Sequence, residues 1–205
     1  MRAVILAAGM GHKMGHLAQV PQCLQEVRGK KIIDYQLDAL AQCGVTDVVI
    51  VVGYKAEMIR AHIGSRMQYV FNPDYETTKS AYSLWLAREF CCDGFVHING
   101  DLVFGEDLLQ KVLDSKYENA FAFDRKYDFT SDMHKVVMIG DRIIHHNHLV
   151  SSDIAHGEAV GPVKVSKEFA LEVLQKIEGE ISLGVRKNTV YNTFNDVAKY
   201  LPMYG

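Results

Sequence analysis

The chain has 205 residues, of which 48% are hydrophobic and 23% charged, and its formal net charge at pH 7 is -3. These values are typical of a globular protein, and we expect a single domain over residues 1–205. The small excess of acidic residues argues against a broad nucleic-acid or membrane surface, because such surfaces need clustered basic side chains. A small-molecule partner is therefore favoured.

The cysteines and the amino terminus indicate the cellular compartment. Cys23, Cys43, Cys91 and Cys92 show no C-x-x-C spacing, which favours reduced thiols. The apolar run that follows Met1 ends at glycines and is too short for a signal peptide or a membrane span. We therefore expect a cytoplasmic protein.

Apolar runs alternate with segments of helical period along the chain. The predicted strands are 3–8, 47–52, 68–71, 94–98, 119–123, 135–139, 142–146 and 159–165. The predicted helices are 33–43, 56–63, 80–90, 107–113, 167–176 and 193–200. This alternation is typical of a largely parallel sheet covered by helices. The expected fold class is α/β, as a three-layer α/β/α Rossmann-like sandwich.

Two local patterns refine this fold. In helix 33–43, Leu37, Leu40 and Ala41 fall on one face, as packing onto a sheet requires. Between strands 135–139 and 142–146, Gly140-Asp141 predicts the turn of an antiparallel hairpin. The sheet is therefore expected to be mixed, with mostly parallel strands.

A glycine-rich loop follows the first predicted strand. Gly9 and Gly11 lack side chains, so the backbone can approach a ligand closely, and such a loop after a strand usually brings amides to phosphate. Lys13 adds a positive charge to the same loop. The loop therefore predicts a phosphate-binding site.

Two common phosphate-binding classes do not fit this loop. A P-loop needs Lys-Ser or Lys-Thr after its glycines, and GMGHKMG contains neither pair. A dinucleotide fold needs a helix directly after the glycines and an acid at the end of the second strand, but that strand ends at Val52-Gly53-Tyr54. Of three candidate classes, namely a P-loop enzyme, a dinucleotide-binding dehydrogenase and a nucleotidyltransferase, the third is left open by these two observations.

An ordered set of motifs supports that class. LAAGMGHKMGHLAQVPQCLQEVRGKKIIDYQLDAL resembles the nucleotidyltransferase signature L-A-A-G-x-G-x-R, P-K and V-x-G-K-P-L before a helix. The resemblance continues through VVIVVGYKAEMI, NPDYETTKSAYSLWLA, INGDLVF, SDMHKVVM, GEAVGPVKVS and NTFND. TTKSAYSLWLA, DMHKV and GEAVGPVKVS are most similar to the phosphocholine cytidylyltransferase-like branch, which activates small phosphorylated molecules with CTP. The resemblance implies a Rossmann-like sandwich of the nucleotidyltransferase or GT-A-like type, CTP as a partner and Mg²⁺ as cofactor.

The same resemblance implies a nucleotide site built from several segments. The residues assigned to it are Leu6, Ala7, Ala8, Gly9, Met10, Gly11, His12, Lys13, Gln22, Gly53, Tyr54, Ser80, Ala81, Ser83, Gly100 and Asp101. Ser80 and Ser83 also stand at the start of a predicted helix, where capping explains a serine equally well.

Asp101 and Asn192 fall on the family's metal positions. Asp101 follows a strand at the end where ligands bind in open α/β sheets, and a carboxylate suits Mg²⁺. Asn192 offers an uncharged amide where the family has aspartate. Two simpler interpretations stay open, because Asp101 also suits a turn and Asn192 also suits a position before a helix capped by Thr193 and Asp196.

The acceptor side is assigned to the motifs DMHKV and GEAVGPVKVS. Lys135 and Lys164 are the expected phosphate clamps, because a charged lysine inside an apolar strand usually needs a partner. The alternative for each is a solvent-facing position. Asp132 and Glu158 are expected to hold a cationic head group such as choline or an amine. The catalytic residues implied are Lys13, Asp101 and Lys135.

Three positions depart from the family pattern. Lys13 replaces an arginine, Gln22 replaces the lysine of P-K, and Asn192 replaces an aspartate. A catalytically weak nucleotide-binding homologue and a sugar-1-phosphate nucleotidyltransferase are therefore kept as alternatives to a cytidylyltransferase. The sequence leaves open whether the acceptor is phosphocholine, a phosphonate or another phosphorylated molecule, whether the donor is CTP or UTP, and whether the chain forms a homodimer.

Overall fold

The computed structural model describes residues 1–11, 19–125, 128–131 and 133–205. Its strands are β1 Arg2–Ala7, β2 Glu26–Val27, β3 Lys30–Lys31, β4 Val48–Val52, β5 Gln68–Phe71, β6 Phe95–Asn99, β7 Ala120–Asp124, β8 Lys135–Ile139, β9 Arg142–Asn147, β10 Gly157–Val165 and β11 Met203–Tyr204. Its α-helices are α1 Ile32–Gln42, α2 Ala56–Ile63, α3 Ser80–Leu86, α4 Glu106–Leu113, α5 Lys167–Ser182 and α6 Val190–Val197. Two 3-10 turns cover Gln22–Leu24 and Arg88–Phe90.

The main sheet has the order β5-β4-β1-β6-β10-β7-β11-β9-β8, and β8 also pairs with β10. Strands β5, β4, β1 and β6 run parallel, with Ile5 opposite both Ile50 and Ile98. Strand β10 runs antiparallel to β6, β7 and β8, and β8 and β9 form the expected hairpin. The sheet is therefore mixed, as predicted, and its parallel strands place four carboxyl ends along one edge.

Helices cover both faces of this sheet. Helices α1, α2 and α4 pack on one face, where Leu40 and Ile59 belong to the same hydrophobic cluster as Ile5. Helices α3, α5 and α6 pack on the other face, where Phe169 belongs to the same cluster as Val4. Strands covered on both sides read as continuous apolar runs, which is why β1 and β4 were predictable. The three-layer α/β/α sandwich is confirmed. No helix within the described ranges is long and apolar enough to cross a membrane.

The buried face of α1 differs from the prediction. Leu40 is buried and Leu37 packs against the core, as predicted, but Ala41 is exposed. The buried face is made of Ile33, Gln36 and Leu40. These three residues follow the spacing i, i+3 and i+7 of a helix stripe. A glutamine was not counted as part of an apolar stripe, so the predicted face was shifted around the helix.

Helices α5 and α6 also differ in their bounds. Helix α5 continues past residue 176, because buried Ile177 extends its apolar stripe. Helix α6 begins at Val190, and Thr189 caps it by accepting a hydrogen bond from the amide of Asn192 at 3.2 Å. The predicted cap Thr193 is a buried residue inside the helix. The capping box at Thr193 was therefore wrong, and Asn192 lies in the first turn of α6.

Candidate active site

A cavity of about 270 Å³ opens at the carboxyl edge of the parallel strands. We call it the first cavity. Its lining residues are Leu6, Ala7, Ala8, Gly9, Gln22, Cys23, Asn72, Tyr75, Thr78, Lys79, Ser80, Ser83, Asn99, Gly100 and Asp101. Most of these residues end or follow β1, β5 and β6 or begin α3, and Gln22 and Cys23 come from the 3-10 turn. The carboxyl ends of the strands are the place where open α/β sheets bind ligands.

Close backbone contacts fix the end of β1 in this cavity. The amide of Tyr54 donates to the carbonyl of Ala8 at 3.0 Å, and that of Gly100 donates to Leu6 at 2.9 Å. A Cβ atom on Gly53 would lie 2.8 Å from the Ala8 carbonyl oxygen, and one on Gly100 would lie 2.9 Å from that of Leu6. Only glycine fits at either position. Gly53 and Tyr54 therefore support the loop from behind.

A hydrogen-bonded wall of polar side chains closes one side of the first cavity. Buried Asn72 donates to Ser83 Oγ at 3.0 Å and to Thr78 Oγ1 at 3.2 Å. Thr78 in turn donates to the carbonyl of Asp74 at 2.8 Å. Because each hydroxyl has a partner before any ligand arrives, this wall is held in one arrangement.

Ser80 and Ser83 do not cap α3. Among the described residues no side chain caps this helix, and Ser80 Oγ instead accepts from the amide of Val190 at 3.0 Å. Ala81 is buried, and its amide donates to Asn188 at 3.2 Å. The capping interpretation of the two serines was therefore wrong, and both line the first cavity.

Asp101 lies exposed in the turn that follows β6. Buried Gln36 of α1 donates to the carbonyls of Asn99 at 2.9 Å and Leu102 at 2.7 Å. Those two hydrogen bonds hold the turn from both sides of Asp101. Burial raises the pKa of Tyr191, and the nearby charge of Asp101 raises it further. Tyr191 is therefore a neutral phenol at the side of the site where α6 begins.

A second cavity of about 250 Å³ adjoins the first. Its lining residues are Lys79, Ser80, Asn99, His134, His148, Thr189, Val190, Tyr191 and Asn192. Lys79, Ser80 and Asn99 line both cavities. Two ligands bound in these cavities would meet at those three residues.

Two histidines, His134 and His148, line the second cavity, and His146 contacts the first of them. His134 Nε2 lies 2.8 Å from His146 Nδ1, and the ring of His134 lies 4.8 Å from that of Tyr191. Burial lowers the pKa of His134 to about 4 and that of His146 to about 3. Both rings are therefore neutral near pH 7. His146 Nε2 and His97 Nδ1 are buried without a hydrogen-bond partner in the described part of the chain.

Asn192 and Asp101 line different cavities, which adjoin each other. Asn192 lines the second cavity, where its amide accepts from Asn147 at 3.4 Å and donates to Asn188 at 3.1 Å. No group of three or more His, Cys, Asp or Glu side chains able to hold a metal occurs among the described residues. Asp101 is the one carboxylate among the described residues that line the two cavities.

The structure places Lys135 and Lys164 differently from the prediction. Lys164 donates to the carbonyls of Leu113 at 3.0 Å and Ser115 at 2.8 Å, so it binds the end of α4. Lys135 donates to His148 at 2.9 Å and thereby holds the backbone beside the second cavity. Neither lysine is among the described residues that line the two cavities. The structure therefore gives both ammonium groups backbone partners outside the two cavities, and their assignment as phosphate clamps stays a prediction.

The other assigned residues fall into three groups. Glu158 lies opposite Lys135 in the β8–β10 ladder, outside the described linings of both cavities. Met10 and Gly11 follow the cavity loop without lining it. His12, Lys13 and Asp132 lie outside the described residues.

Several lining residues were not singled out from the sequence. In the first cavity these are Cys23, Asn72, Tyr75, Thr78, Lys79 and Asn99. Four of them belong to the stretch NPDYETTKS, which was matched as a motif and not residue by residue. In the second cavity the missed residues are His134, His148, Thr189, Val190 and Tyr191, besides the shared Lys79 and Asn99.

The chain is similar in sequence to proteins of known name. The chain is 37% identical over 131 residues to CMP-5'-(3-aminopropyl)phosphonate synthase of Streptomyces rubellomurinus, covering 61% of this chain and 21% of that protein. It is 29% identical over 136 residues to CTP:phosphoglutamine cytidylyltransferase of Campylobacter jejuni, covering 62% of this chain and 54% of that protein. The chain therefore spans about a fifth and about half of these two relatives.

The fold has a close counterpart among solved structures. CTP:phosphocholine cytidylyltransferase from Streptococcus pneumoniae superposes with a TM-score of 0.81 at 24% identity, over 99% of this chain and 87% of that one. The family model described as MobA-like NTP transferase domain matches residues 3–175. Since that match covers well over half of the sequence, the chain belongs to the family of MobA-like NTP transferase domains.

Proposed function

We propose that the protein is a CTP-dependent cytidylyltransferase that joins a nucleotide to a small phosphorylated acceptor. The observation that carries this proposal is the pair of adjoining cavities, which share Lys79, Ser80 and Asn99. CTP occupies the first cavity, at the glycine loop and the polar wall. The acceptor occupies the second cavity. The names of the two curated relatives and of the solved structure support CTP as the donor.

The reaction needs positioning more than proton transfer. An oxygen of the acceptor phosphate forms a bond to the α-phosphorus of CTP, and the bond from that phosphorus to the α,β-bridging oxygen breaks. The electron pair of that bond leaves with pyrophosphate. An acceptor phosphate is already ionised near pH 7, so no general base is required. The two fixed cavities supply the alignment that makes such an attack fast.

Asp101 fits a site for Mg²⁺. This cation usually takes one or two protein carboxylates and completes its shell with water and substrate phosphates, and Asp101 is exposed at the edge of the first cavity. When bound, the cation neutralises phosphate charge. Asn192 is uncharged and its amide is already hydrogen-bonded, so Asp101 is the main protein ligand that we assign.

One observation favours a second candidate, a nucleotide-binding homologue with weak catalysis. Gln22 lines the first cavity at the position where the family resemblance has a lysine. A neutral amide contributes less to binding phosphate than an ammonium does. Turnover therefore decides between the two candidates.

The direct test is pyrophosphate release from CTP, UTP, ATP and GTP. Each nucleotide is combined with phosphocholine, phosphoglutamine or 3-aminopropylphosphonate in the presence of Mg²⁺, and the products are identified by mass spectrometry. We expect release with CTP and with one of these acceptors. A protein that binds CTP and releases pyrophosphate with none of them would support the weakly catalytic candidate.

A binding measurement tests the choice of nucleotide separately. A ligand that binds the folded state at about 100 times its Kd stabilises that state by about 2.7 kcal/mol, which raises the Tm of a chain this long by about 5–10 °C. We expect CTP with Mg²⁺ to give a larger shift than ATP or GTP. Equal shifts with all four nucleotides would contradict the cytidylyl assignment.

A further inference from the structure

Lys79 stands where the two cavities meet. It is the residue before α3, its side chain is exposed, and it lines both cavities. Of the described residues that line either cavity, it is the one lysine or arginine, and Asp101 is the one carboxylate. The positive and the negative charge of the described site therefore each come from a single side chain.

The backbone of Lys79 is held firmly while its ammonium stays available. Its amide donates to Arg186 at 3.1 Å, and the neighbouring Ser80 is bound to Val190. Within the described ranges the Lys79 side chain has no hydrogen bond or ion pair. The ammonium groups of Lys135 and Lys164 differ in this respect, because backbone carbonyls already bind both of them.

We propose that the ammonium of Lys79 binds the triphosphate in the first cavity and the acceptor phosphate in the second at once. This inference rests on the proposed function. Two phosphate groups repel each other as they approach, and a cation placed between them lowers that repulsion most where it touches both. A lysine ammonium suits this place because it is compact and has three rotatable donors. Lys79 thus supplies a charge that Gln22 does not provide.

The test compares Lys79→Ala, Lys79→Gln and Lys79→Arg with the control Lys187→Ala. Lys187 is exposed and directly follows Arg186, whose carbonyl accepts the amide of Lys79. It is not among the lining residues of either cavity. Loss of one electrostatic contact to reacting phosphates should lower kcat/KM for the acceptor by about 100-fold in the alanine and glutamine variants. Arginine keeps the charge and should restore activity to within about 10-fold of the wild type. Lys187→Ala should change the rate by less than about twofold, because it removes only a surface charge.

Calorimetric titration with CTP and Mg²⁺ supplies a readout that does not depend on turnover. We expect Lys79→Ala to weaken CTP binding by about 10-fold and Lys187→Ala to leave it unchanged. Circular dichroism confirms that each variant is folded. In Lys79→Ala the fold-decrease in kcat/KM for the acceptor should exceed the fold-decrease in CTP affinity, because the acceptor phosphate also loses its contact with the ammonium.

The outcomes separate the two proposals. If the wild type binds CTP but releases no pyrophosphate, the proposed function fails, and the calorimetric comparison still decides whether Lys79 binds the triphosphate. Equal CTP affinity and equal turnover in wild type and Lys79→Ala would overturn the role of Lys79 alone. Parallel losses of affinity and of kcat/KM would restrict Lys79 to the nucleotide and overturn the bridging role. A wild type that binds no CTP overturns both.

Discussion

Replacing Lys164 by methionine separates a structural lysine from a substrate-binding one. Methionine keeps much of the buried stem and removes the ammonium that donates to the carbonyls of Leu113 at 3.0 Å and Ser115 at 2.8 Å. Each hydrogen bond from a charged group contributes about 1.5–3 kcal/mol. Burying the ammonium also costs free energy, because burial lowers the pKa of Lys164, and removing the ammonium removes that cost. We expect the free energy of unfolding to fall by about 2–4 kcal/mol.

The assay is urea unfolding followed by circular dichroism, with Lys111→Met as the control. Lys111 is an exposed lysine of α4, the helix whose last carbonyl Lys164 binds, so its replacement should change the free energy of unfolding by less than about 0.5 kcal/mol. The Kd for CTP and the KM for the acceptor should stay unchanged in Lys164→Met. Unaltered stability together with a large rise in the acceptor KM would refute the structural role.

Two further predictions concern Asp101 and the buried histidines. Asp101→Asn removes the charge assigned to the cation site, so pyrophosphate release at saturating Mg²⁺ should fall by about 100-fold or more. His97 and His146 are buried, with pKa values lowered from 6.5 to about 4 and about 3. As the pH falls below 6.5 the unfolded chain therefore binds protons that the folded chain does not. The free energy of unfolding should decrease by about 2 kcal/mol per histidine at about pH 5 relative to about pH 8.

Controls make both predictions decisive. Unchanged turnover in Asp101→Asn would show that Asp101 serves only the turn after β6. For the histidines, urea unfolding at several pH values is compared between the wild type and His97→Gln, which removes one titrating group. An unfolding free energy that stays constant between about pH 8 and about pH 5 would contradict the neutral, buried state of these rings.

The sequence predicted the parallel part of the fold well, because its signals are local. The strands β1 and β4 are continuous apolar runs, and their predicted bounds differ from the observed ones by one residue at both ends of β1 and at the start of β4. The start of α6 was wrong for a physical reason. Thr189 and Thr193 are both threonines near the start of a helix, and only the tertiary structure shows which hydroxyl accepts the amide of Asn192.

The sequence predicted the parts of the candidate site that the backbone forms. It did not predict where the long side chains of the site find their partners. Residues 6–9 and Gly100, which the sequence assigned to the nucleotide site, line the first cavity. Lys135 and Lys164 were expected to need a partner, and each has one, but the partners are carbonyls of distant segments. The sequence pattern cannot distinguish a carbonyl from a ligand phosphate. Lys79 gave no signal, because a lysine before a helix is ordinary.

The hydrogen bonds between the start of α3 and residues 186–190 have a consequence for how the acceptor specificity of this protein can evolve. Three hydrogen bonds join them, from Lys79 to Arg186, from Ala81 to Asn188 and from Val190 to Ser80. Two of these bonds are purely backbone, so the spacing between the two cavities does not depend on most side chains around them. Substitutions at the wall of the second cavity can therefore alter which acceptor is taken while the distance to the nucleotide stays fixed. This fixed backbone allows the acceptor preference to diverge while the bound nucleotide and the reaction stay the same.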